Sequence, residues 1–134
     1  MQVKRKVAKT VLSLLLAANC HAVQAKSDRV HGKKERNIGW ASYYSDRFHG
    51  RRTASGERYD RNALTAVHGS YPFGTVLRVT NLRNHRSVHV RINDRWPGKY
   101  GRILDLSKRA AKELGFVNAG LAHVKLEVVE LGAG

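Results

Sequence analysis

The segment from Ser87 to Asn93 constrains the fold most, because its apolar and polar residues alternate without a break. The apolar positions are Val88, Val90 and Ile92, and the polar ones are His89, Arg91 and Asn93. A period of two is typical of a β-strand with one face in a core. Asp94 follows directly, and the Pro97-Gly98 pair predicts a turn that ends the strand pairing. We therefore expect an acid at the mouth of a strand, on an exposed segment of the kind that often carries function.

Four further segments have extended character and are separated by turn signals. The predicted strands span residues 39–44, 65–67, 75–81 and 123–131. A single helix is predicted from Ser107, which can act as the N-cap, to Gly115, which can end the last turn. Its buried face would carry Ala110, Ala111 and Leu114. Five or so strands with one helix favour a small β-barrel.

The same alternation predicts which side chains form the core. They are Val79, Val90, Ile92, Leu126 and Val128. Residues 81–86 are predicted to form a hairpin turn, in which Asn84 and His85 take the positive φ angles of a tight connection.

The first 25 residues have the pattern of a secretory signal peptide. Basic residues between positions 4 and 9 precede an apolar run at 11–18, and residues 23–25 offer small side chains for cleavage. The apolar run is too short to span a bilayer. We therefore expect export across the inner membrane to the periplasm or cell envelope.

Cys20 offers a competing interpretation of the same segment, as a lipidated N-terminus. Asn19 disfavours it, because a small residue is expected before such a cysteine. Cys20 is the only cysteine, so cleavage after residue 25 would leave a mature chain without a disulfide. Residues 26–37 are predicted to be a disordered basic leader, and residues 38–131 a single domain.

The chain is strongly basic, with 25 Lys and Arg residues against 10 Asp and Glu, a formal net charge of +15. This charge favours an anionic partner such as an acidic wall polymer or a lipid headgroup, or docking on a division protein. The alternative is a surface kept soluble by scattered charges. No zinc-finger, helix-turn-helix or ribonucleoprotein motif supports nucleic-acid binding. We expect a monomer with no nucleic-acid partner and no transmembrane span.

Several polar residues besides Asp94 are able to do chemistry. Glu57 and Asp60 lie in a glycine-containing loop, and His68 ends a short apolar segment. Each also has a simpler interpretation, since loop acids are usually solvated and an edge histidine is usually hydrogen-bonded locally. Asp105 is expected to cap or pair near the start of the helix.

The sequence predicts no metal site and no cofactor. It contains no HExxH motif, no cysteine pair and no calcium-loop spacing. It also lacks the GxSxG elbow of a serine hydrolase.

Short motifs follow one another in order through most of residues 38–131. They include Gly39-Trp-Ala-Ser-Tyr-Tyr44, Phe48-His-Gly-Arg51, Thr53-Ala-Ser-Gly-Glu57, Ala63-Leu-Thr-Ala66, Pro72-Phe-Gly-Thr75, Arg91-Ile-Asn-Asp-Arg95 and Gly101-Arg-Ile-Leu-Asp-Leu-Ser107. Together they resemble the rare lipoprotein A family, the septal-ring lytic transglycosylases. The resemblance implies a mainly β fold, a single six-stranded double-psi β-barrel with one or two short helices.

The resemblance also implies a peptidoglycan lytic transglycosylase. Such an enzyme cleaves the MurNAc-GlcNAc β-1,4 bond without water and leaves 1,6-anhydro-MurNAc ends, here on strands poor in stem peptides. One carboxyl group can act first as acid and then as base, because the 6-hydroxyl of the sugar is the nucleophile. Asp94 is the candidate for that role. Matching motifs imply that Glu57, Asp60 and His68 line the same groove as catalytic groups.

The motifs further imply a set of substrate-binding residues. They are Tyr44, Tyr59, Asn93, Arg95 and Trp96. The three aromatic residues would offer flat apolar faces to sugar rings, although an aromatic residue in a small barrel is often simply core. Two positions depart from the family pattern: Trp96 stands where glycine is usual, and Gly98 replaces a larger residue after proline.

Three classes of function therefore remain open. The first is the lytic transglycosylase. The second is a non-catalytic glycan-binding wall module, because the same barrel resembles expansin-like proteins. The third is an interaction protein held to acidic polymers by its charge.

Overall fold

Six strands, one α-helix and a short 3-10 turn form residues 37–134, the part of the chain that the computed structural model describes. The strands are β1 (Ile38–Tyr43), β2 (Thr65–His68), β3 (Val76–Asn81), β4 (Ser87–Arg95), β5 (Arg102–Leu106) and β6 (Ala122–Glu130). Helix α1 spans Lys108–Leu114, and the 3-10 turn spans Asp46–Phe48. The predicted signal peptide, with Cys20, and the predicted leader before Asn37 lie outside the described residues. No helix within residues 37–134 is long and apolar enough to cross a membrane.

The strands close into a barrel in the order β1-β5-β2-β4-β3-β6. Two neighbouring pairs, β1 with β5 and β2 with β4, are parallel, and the other pairs are antiparallel. Apolar side chains from all six strands fill the interior, among them Ala41, Ala66, Val79, Ile92, Leu104 and Val124, each fully buried. The predicted mainly β barrel with a short helix is confirmed.

All five predicted strands are present, with ends shifted by one or two residues, but the sequence reading missed β5. Its partners explain why. Trp40 on β1 pairs with Arg102 and Ala41 pairs with Leu104, so Ile103 is an extra residue, a β-bulge. The bulge turns both Arg102 and Asp105 toward the outer face although they are three positions apart. A strand with an interrupted period of two escapes a search for strict alternation.

A second bulge corrects the expectation that Asp94 follows its strand. Strand β4 continues to Arg95, because Val67 and His68 of β2 pair with Asp94 and Arg95. Ala66 pairs with Ile92, so Asn93 is the extra residue at this point. By strict alternation Asp94 would share the inward face of Val88, Val90 and Ile92. The bulge at Asn93 reverses the parity and places Asp94 on the outside of the barrel.

The loop after β4 explains why Gly98 follows Pro97. Gly98 has φ of 76°, and a Cβ added there would lie 2.5 Å from the carbonyl oxygen of Arg102. Both the left-handed backbone and the close approach require glycine. Strand pairing ends at Arg95, before the Pro97-Gly98 pair, and the turn itself lies at Tyr100 and Gly101 rather than at Pro97-Gly98.

The predicted helix is confirmed together with both of its ends. The Ser107 side chain accepts a hydrogen bond from the backbone N–H of Ala110, as an N-cap does. Gly115 has left-handed backbone geometry and its N–H bonds to carbonyls of the last turn. Ala110, Ala111 and Leu114 are fully buried.

Three finer predictions are wrong. In the hairpin of residues 81–86 His85 has positive φ but Asn84 does not; its side chain instead accepts from the N–H of Arg86. Val128 is 43% exposed rather than core, because the inward alternation of β6 ends at Leu126. Asn93, expected on the solvent face, is buried by the bulge.

Candidate active site

Two carboxyl groups lie in one row on the outer face of the barrel. Ser42 of β1 is opposite Asp105 of β5, Asp105 is opposite Val67 of β2, and Val67 is opposite Asp94 of β4. Residues paired in register point to the same side of a sheet. With strands about 4.8 Å apart, the two aspartate backbones are separated by roughly 10 Å. We call Ser42, Asp105, Val67 and Asp94 the acid row.

Asp94 is held by three hydrogen bonds. The backbone N–H groups of Ala54 and Arg95 both donate to its Oδ1, each at 2.8 Å. The hydroxyl group of Tyr44 donates to its Oδ2. The three donors come from the 53–57 loop, from β4 and from the residue that follows β1. Together they hold the carboxyl group in place and stabilise a negative charge on it.

Tyr44 is built to remain a hydrogen-bond donor. Burial, and then the hydrogen bond to Asp94, raise the pKa of its phenol far above the usual value. Its ring packs 4.2 Å from the ring of Tyr59 and edge-on against Phe48. Tyr59 in turn is only 2% exposed and accepts a hydrogen bond from the backbone N–H of Lys108. The core therefore supports Tyr44 from behind.

An open cleft of about 280 Å³ lies over Tyr44 and Asp94. Its remaining lining comes from Phe48, Arg51, Arg52, Thr53 and Tyr59. Phe48 carries the guanidinium groups of Arg47 and Arg51 over its ring at 4.9 and 5.2 Å. The cleft thus combines an acid, aromatic surface and positive charge, which suits a sugar that bears a carboxylate. The sequence motifs included Phe48 and Arg51, but their role in the site was not predicted.

Asp105 is the functional candidate that sequence reasoning missed. We expected Asp105 to cap the helix or to pair locally near its start. Instead, its Oδ1 accepts a hydrogen bond of 2.9 Å from the hydroxyl group of Ser42, 63 residues away. Burial raises the pKa of Asp105, against the lowering effects of Ser42 and the Arg102 charge, and the Asp94 charge raises it further. The available signal was the pair Leu104 and Leu106, whose alternation puts Asp105 on the face opposite to the core.

Glu57 lies outside the cleft lining and is already paired. Its two carboxylate oxygens accept hydrogen bonds from Arg91 at 2.7 and 2.8 Å, and one also accepts from Asn93 at 3.3 Å. The Arg91 guanidinium lowers the pKa of Glu57, against a smaller opposing effect of burial. Glu57 therefore holds the bulged residue beside Asp94 rather than facing the cleft.

Asp60 and His68 are also engaged locally. Asp60 is exposed, and its side chain accepts a hydrogen bond from the backbone N–H of Asn62. The Nδ1 atom of buried His68 accepts from the backbone N–H groups of Ser70 and Tyr71. Within residues 37–134, Asp94 is thus the only one of the four predicted catalytic residues that lines the cleft.

The predicted substrate-binding residues divide in the same way. Tyr44 and Tyr59 line the cleft, although Tyr59 is only 2% exposed, whereas the equally buried Asn93 is outside the lining. The Arg95 guanidinium donates to the carbonyl of His68 and lies over the Phe73 ring. Trp96 is half-buried, with the guanidinium of Arg102 4.8 Å above its ring, so it flanks the acid row rather than the cleft.

Within residues 37–134 no group of three or more His, Cys, Asp or Glu side chains is arranged to hold a metal ion. The two candidate carboxyls contact hydroxyl and backbone donors instead. Proton transfer by carboxyl groups is the chemistry that this arrangement supports.

Residues 36–126 match the family described as lytic transglycolase, a double-psi β-barrel domain. The endolytic peptidoglycan transglycosylase RlpA of Neisseria meningitidis is 46% identical over 129 residues, which cover 90% of this chain and 54% of that protein. A probable endolytic peptidoglycan transglycosylase RlpA of a Synechocystis strain is 55% identical over 92 residues, 69% of this chain and 29% of that protein.

The chain spans about half the length of the Neisseria relative and a smaller part of the cyanobacterial one. Among solved structures, an expansin of Clavibacter michiganensis superposes with a TM-score of 0.58 at 25% identity. The match covers 73% of this chain and 52% of the expansin. The similarity supports the same barrel architecture.

Proposed function

The chain belongs to the lytic transglycolase family, and on that premise we propose that it is a peptidoglycan lytic transglycosylase. It would cleave the MurNAc-GlcNAc β-1,4 bond without water and leave 1,6-anhydro-MurNAc ends. The relatives named as endolytic peptidoglycan transglycosylases support this activity at 46 to 55% identity.

The observation that carries the proposal is the position of Asp94. A bulge turns it out of the barrel, three hydrogen bonds hold it, and it lies in an open cleft with an aromatic floor. A fixed carboxyl group beside a surface for a sugar ring is what an acid-base catalyst of glycosidic cleavage needs.

We assign both proton transfers to Asp94. In its protonated form it gives its proton to the glycosidic oxygen, the bond from C1 of MurNAc to that oxygen breaks, and GlcNAc leaves with a free 4-hydroxyl. The 6-hydroxyl oxygen of the same MurNAc then bonds to C1, and its proton returns to the Asp94 carboxylate. Protons balance, Asp94 is regenerated, and no water is consumed.

The surrounding groups support these steps in different ways. Tyr44, whose phenol keeps its proton, donates to Asp94 while the carboxyl group is negative. Asp105 is assigned as a positioning residue, acting on Asp94 through its charge and on Ser42 through a hydrogen bond. Glu57 positions the bulge through Asn93.

His68 and Asp60 are assigned to the turns that carry the site. His68 fixes the turn that follows β2 through two backbone hydrogen bonds, and its carbonyl receives Arg95. Asp60 closes the turn at Asn62. In these assignments His68 and Asp60 do not contact the substrate directly. They support the strands and loops beneath it.

The substrate form and the location belong to the same proposal. Arg51 and Arg52 line the cleft and would attract the lactyl carboxylate of MurNAc, which is free on strands without stem peptides. A preference for such peptide-poor strands follows. Export to the periplasm or cell envelope, as a monomer, fits a substrate that lies outside the inner membrane.

Mass spectrometry of reaction products tests the function. The purified protein and its Asp94→Asn variant are each incubated with intact peptidoglycan and with amidase-stripped glycan strands. Anhydro-muramyl ends made by the parent protein and absent with the variant are the expected result.

Other products would lead to other conclusions. New reducing ends would mean hydrolysis, which requires an activated water and excludes the mechanism above. Binding of strands with no new ends would favour a glycan-binding wall module. Binding that disappears with salt and is unaffected by Asp94→Asn would favour docking by charge alone.

A further inference from the structure

Strand β1 and the adjoining Tyr44 contribute side chains to both the cleft and a second cavity. Trp40, Ser42 and Tyr44 alternate along the outer face of the strand, while Ala41 and Tyr43 pack toward the core. Tyr44 lines the cleft over Asp94, and Ser42 belongs to the acid row. At about 3.3 Å per residue, Trp40 lies roughly 13 Å from Tyr44 along the strand. Ser42 between them is only 9% exposed, so Trp40 and Tyr44 are the accessible groups on this side, separated by more than the length of one sugar ring.

The second cavity has a volume of about 440 Å³, larger than the cleft. Its apolar lining includes Trp40, Phe116 and Leu121. Its polar lining comes from the hairpin and includes Asn81, Arg83 and Asn84. Trp40 is 45% exposed and Leu121 is 47% exposed. An aromatic wall facing hydrogen-bonding side chains is the usual composition of a site for a small polar ring.

The cavity walls are held in place before any ligand binds. The backbone N–H of Trp40 donates to the carbonyl of Gly101 at 3.1 Å, and its ring packs 5.0 Å from the ring of His123. On the polar side, the side-chain amides of Asn81 and Asn84 both donate to the carbonyl of Leu114 at 2.9 Å. Such preorganisation distinguishes Trp40 from an isolated exposed hydrophobic residue on a loop.

We propose that this cavity is a distal binding site for an N-acetylated sugar of the glycan strand whose scissile bond lies at Asp94. The inference rests on the proposed function for the identity of the strand. The occupant follows from the position of Trp40 on the same strand face as Tyr44, roughly 13 Å away, from the indole face available to a pyranose ring, and from Arg83 as a donor to hydroxyl or acetamido oxygens. Binding at both the cleft and this cavity makes affinity depend on strand length.

The test measures binding without turnover, in the Asp94→Asn background. Amidase-stripped glycan strands are fractionated by length, from a single disaccharide upward, and titrated by calorimetry. Affinity is expected to increase with length until a strand reaches Trp40. Adding Trp40→Ala should remove that increase, with a loss of about tenfold or more for long strands and little change for the disaccharide.

Two variants control for the loss of an exposed aromatic ring. Tyr100 is 95% exposed and is not part of the cavity lining, so Tyr100→Ala should leave the length dependence intact. Trp40→Phe should keep part of it. Thermal melting of each variant shows whether the fold is unchanged.

The outcomes separate this inference from the proposed function. Equal affinity of the parent and Trp40→Ala for every length would overturn the distal site, whatever products the enzyme makes. A Trp40-dependent increase with length, in a protein that makes no anhydro ends, would support the site and refute the lytic reaction. An equal loss with Tyr100→Ala would also overturn the site, because the effect would then not be local to the cavity.

Discussion

The carboxyl groups on strands and those on the 53–62 loop differ in what they are free to do. Asp94 and Asp105 lie in one row across the barrel wall, held by hydroxyl and backbone donors. Glu57 is bound by an arginine, and Asp60 closes its own turn. The sequence motifs placed Glu57, Asp60 and Asp94 in one groove, with Asp94 as the acid and base. The structure places Asp94 in the cleft lining and Asp105 in the same row of the barrel wall, and it binds Glu57 and Asp60 to groups around the site.

The physical origin of the difference is the environment of each carboxyl group. Burial raises the pKa of Asp105, whereas the Arg91 guanidinium lowers the pKa of Glu57. A carboxyl group that binds its proton more tightly is suited to influence proton transfer, and one that is neutralised by a cation is suited to hold structure. Rigid strands also position side chains better than loops do.

Asp94→Asn should have the largest effect on activity. Loss of a general acid-base group typically costs roughly 10²- to 10⁴-fold in rate, and the amide can still accept from Ala54 and Arg95, so the fold and glycan binding should persist. Rates of anhydro-end formation measure the loss. If Asp94 and Asp105 act as a unit, the double variant with Asp105→Asn should be no slower than Asp94→Asn alone. Fully additive losses would show that the two act separately.

Asp105→Asn should slow the reaction by about tenfold and change its pH profile, because a carboxyl group whose pKa is raised by burial no longer titrates in the acid row. The same variant should be more stable than the parent at neutral pH. Since the pKa of Asp105 is raised, the protonated side chain stabilises the fold below the ordinary value of about 3.9, and this contribution is lost as the pH rises through the raised value.

Denaturant unfolding of this variant and the parent at several pH values checks the sign. The two proteins should converge in acid and separate as the pH rises. A parent that is more stable than Asp105→Asn at neutral pH would mean that ionised Asp105 is stabilising, through Ser42 or Arg102, and would remove the distinction drawn between strand and loop carboxyls.

Glu57→Gln should have a smaller effect, a few-fold at most in rate and about 1 kcal/mol or less in stability, since its ion pair with Arg91 is exposed. Because the pKa of Glu57 is lowered, that stability is present above the ordinary glutamate value and is lost as the pH falls through the lowered one. A positioning role predicts a fall in kcat with KM nearly unchanged. A loss as large as that of Asp94→Asn would place Glu57 in the reaction itself.

Asp60→Asn should have the smallest effect. Asparagine can accept the same hydrogen bond from Asn62, so stability should change by less than about 0.5 kcal/mol and the rate should stay the same. Steady-state kinetics and thermal melting provide the check. A marked rate loss with unchanged melting would show that Asp60 reaches the substrate in the complex.

Much of the fold was open to prediction because its signals are local. The period of two in residues 87–93 marks β4, and Ser107 and Gly115 mark the ends of α1 through their own backbone chemistry. Strand β5 could not be predicted in this way, because the bulge at Ile103 breaks its alternation of inward and outward residues. Of the site, the family motifs and the strand end pointed to Asp94, and the aromatic content pointed to Tyr44. Asp105 was expected to act locally near the helix, but its hydrogen-bond partner is Ser42, which is 63 residues away in the sequence.

The sequence by itself determined the number and kind of most elements, the capped helix, and an acid at the end of the clearest strand. Only the tertiary structure decided which way that acid points. The strand continues to Arg95, and strict alternation along it would put Asp94 on the core face, but the pairing of β4 with β2 makes Asn93 a bulge that turns Asp94 outward. The physical reason is that a bulge depends on the register between two strands, and register is set by packing between distant segments rather than by either segment alone.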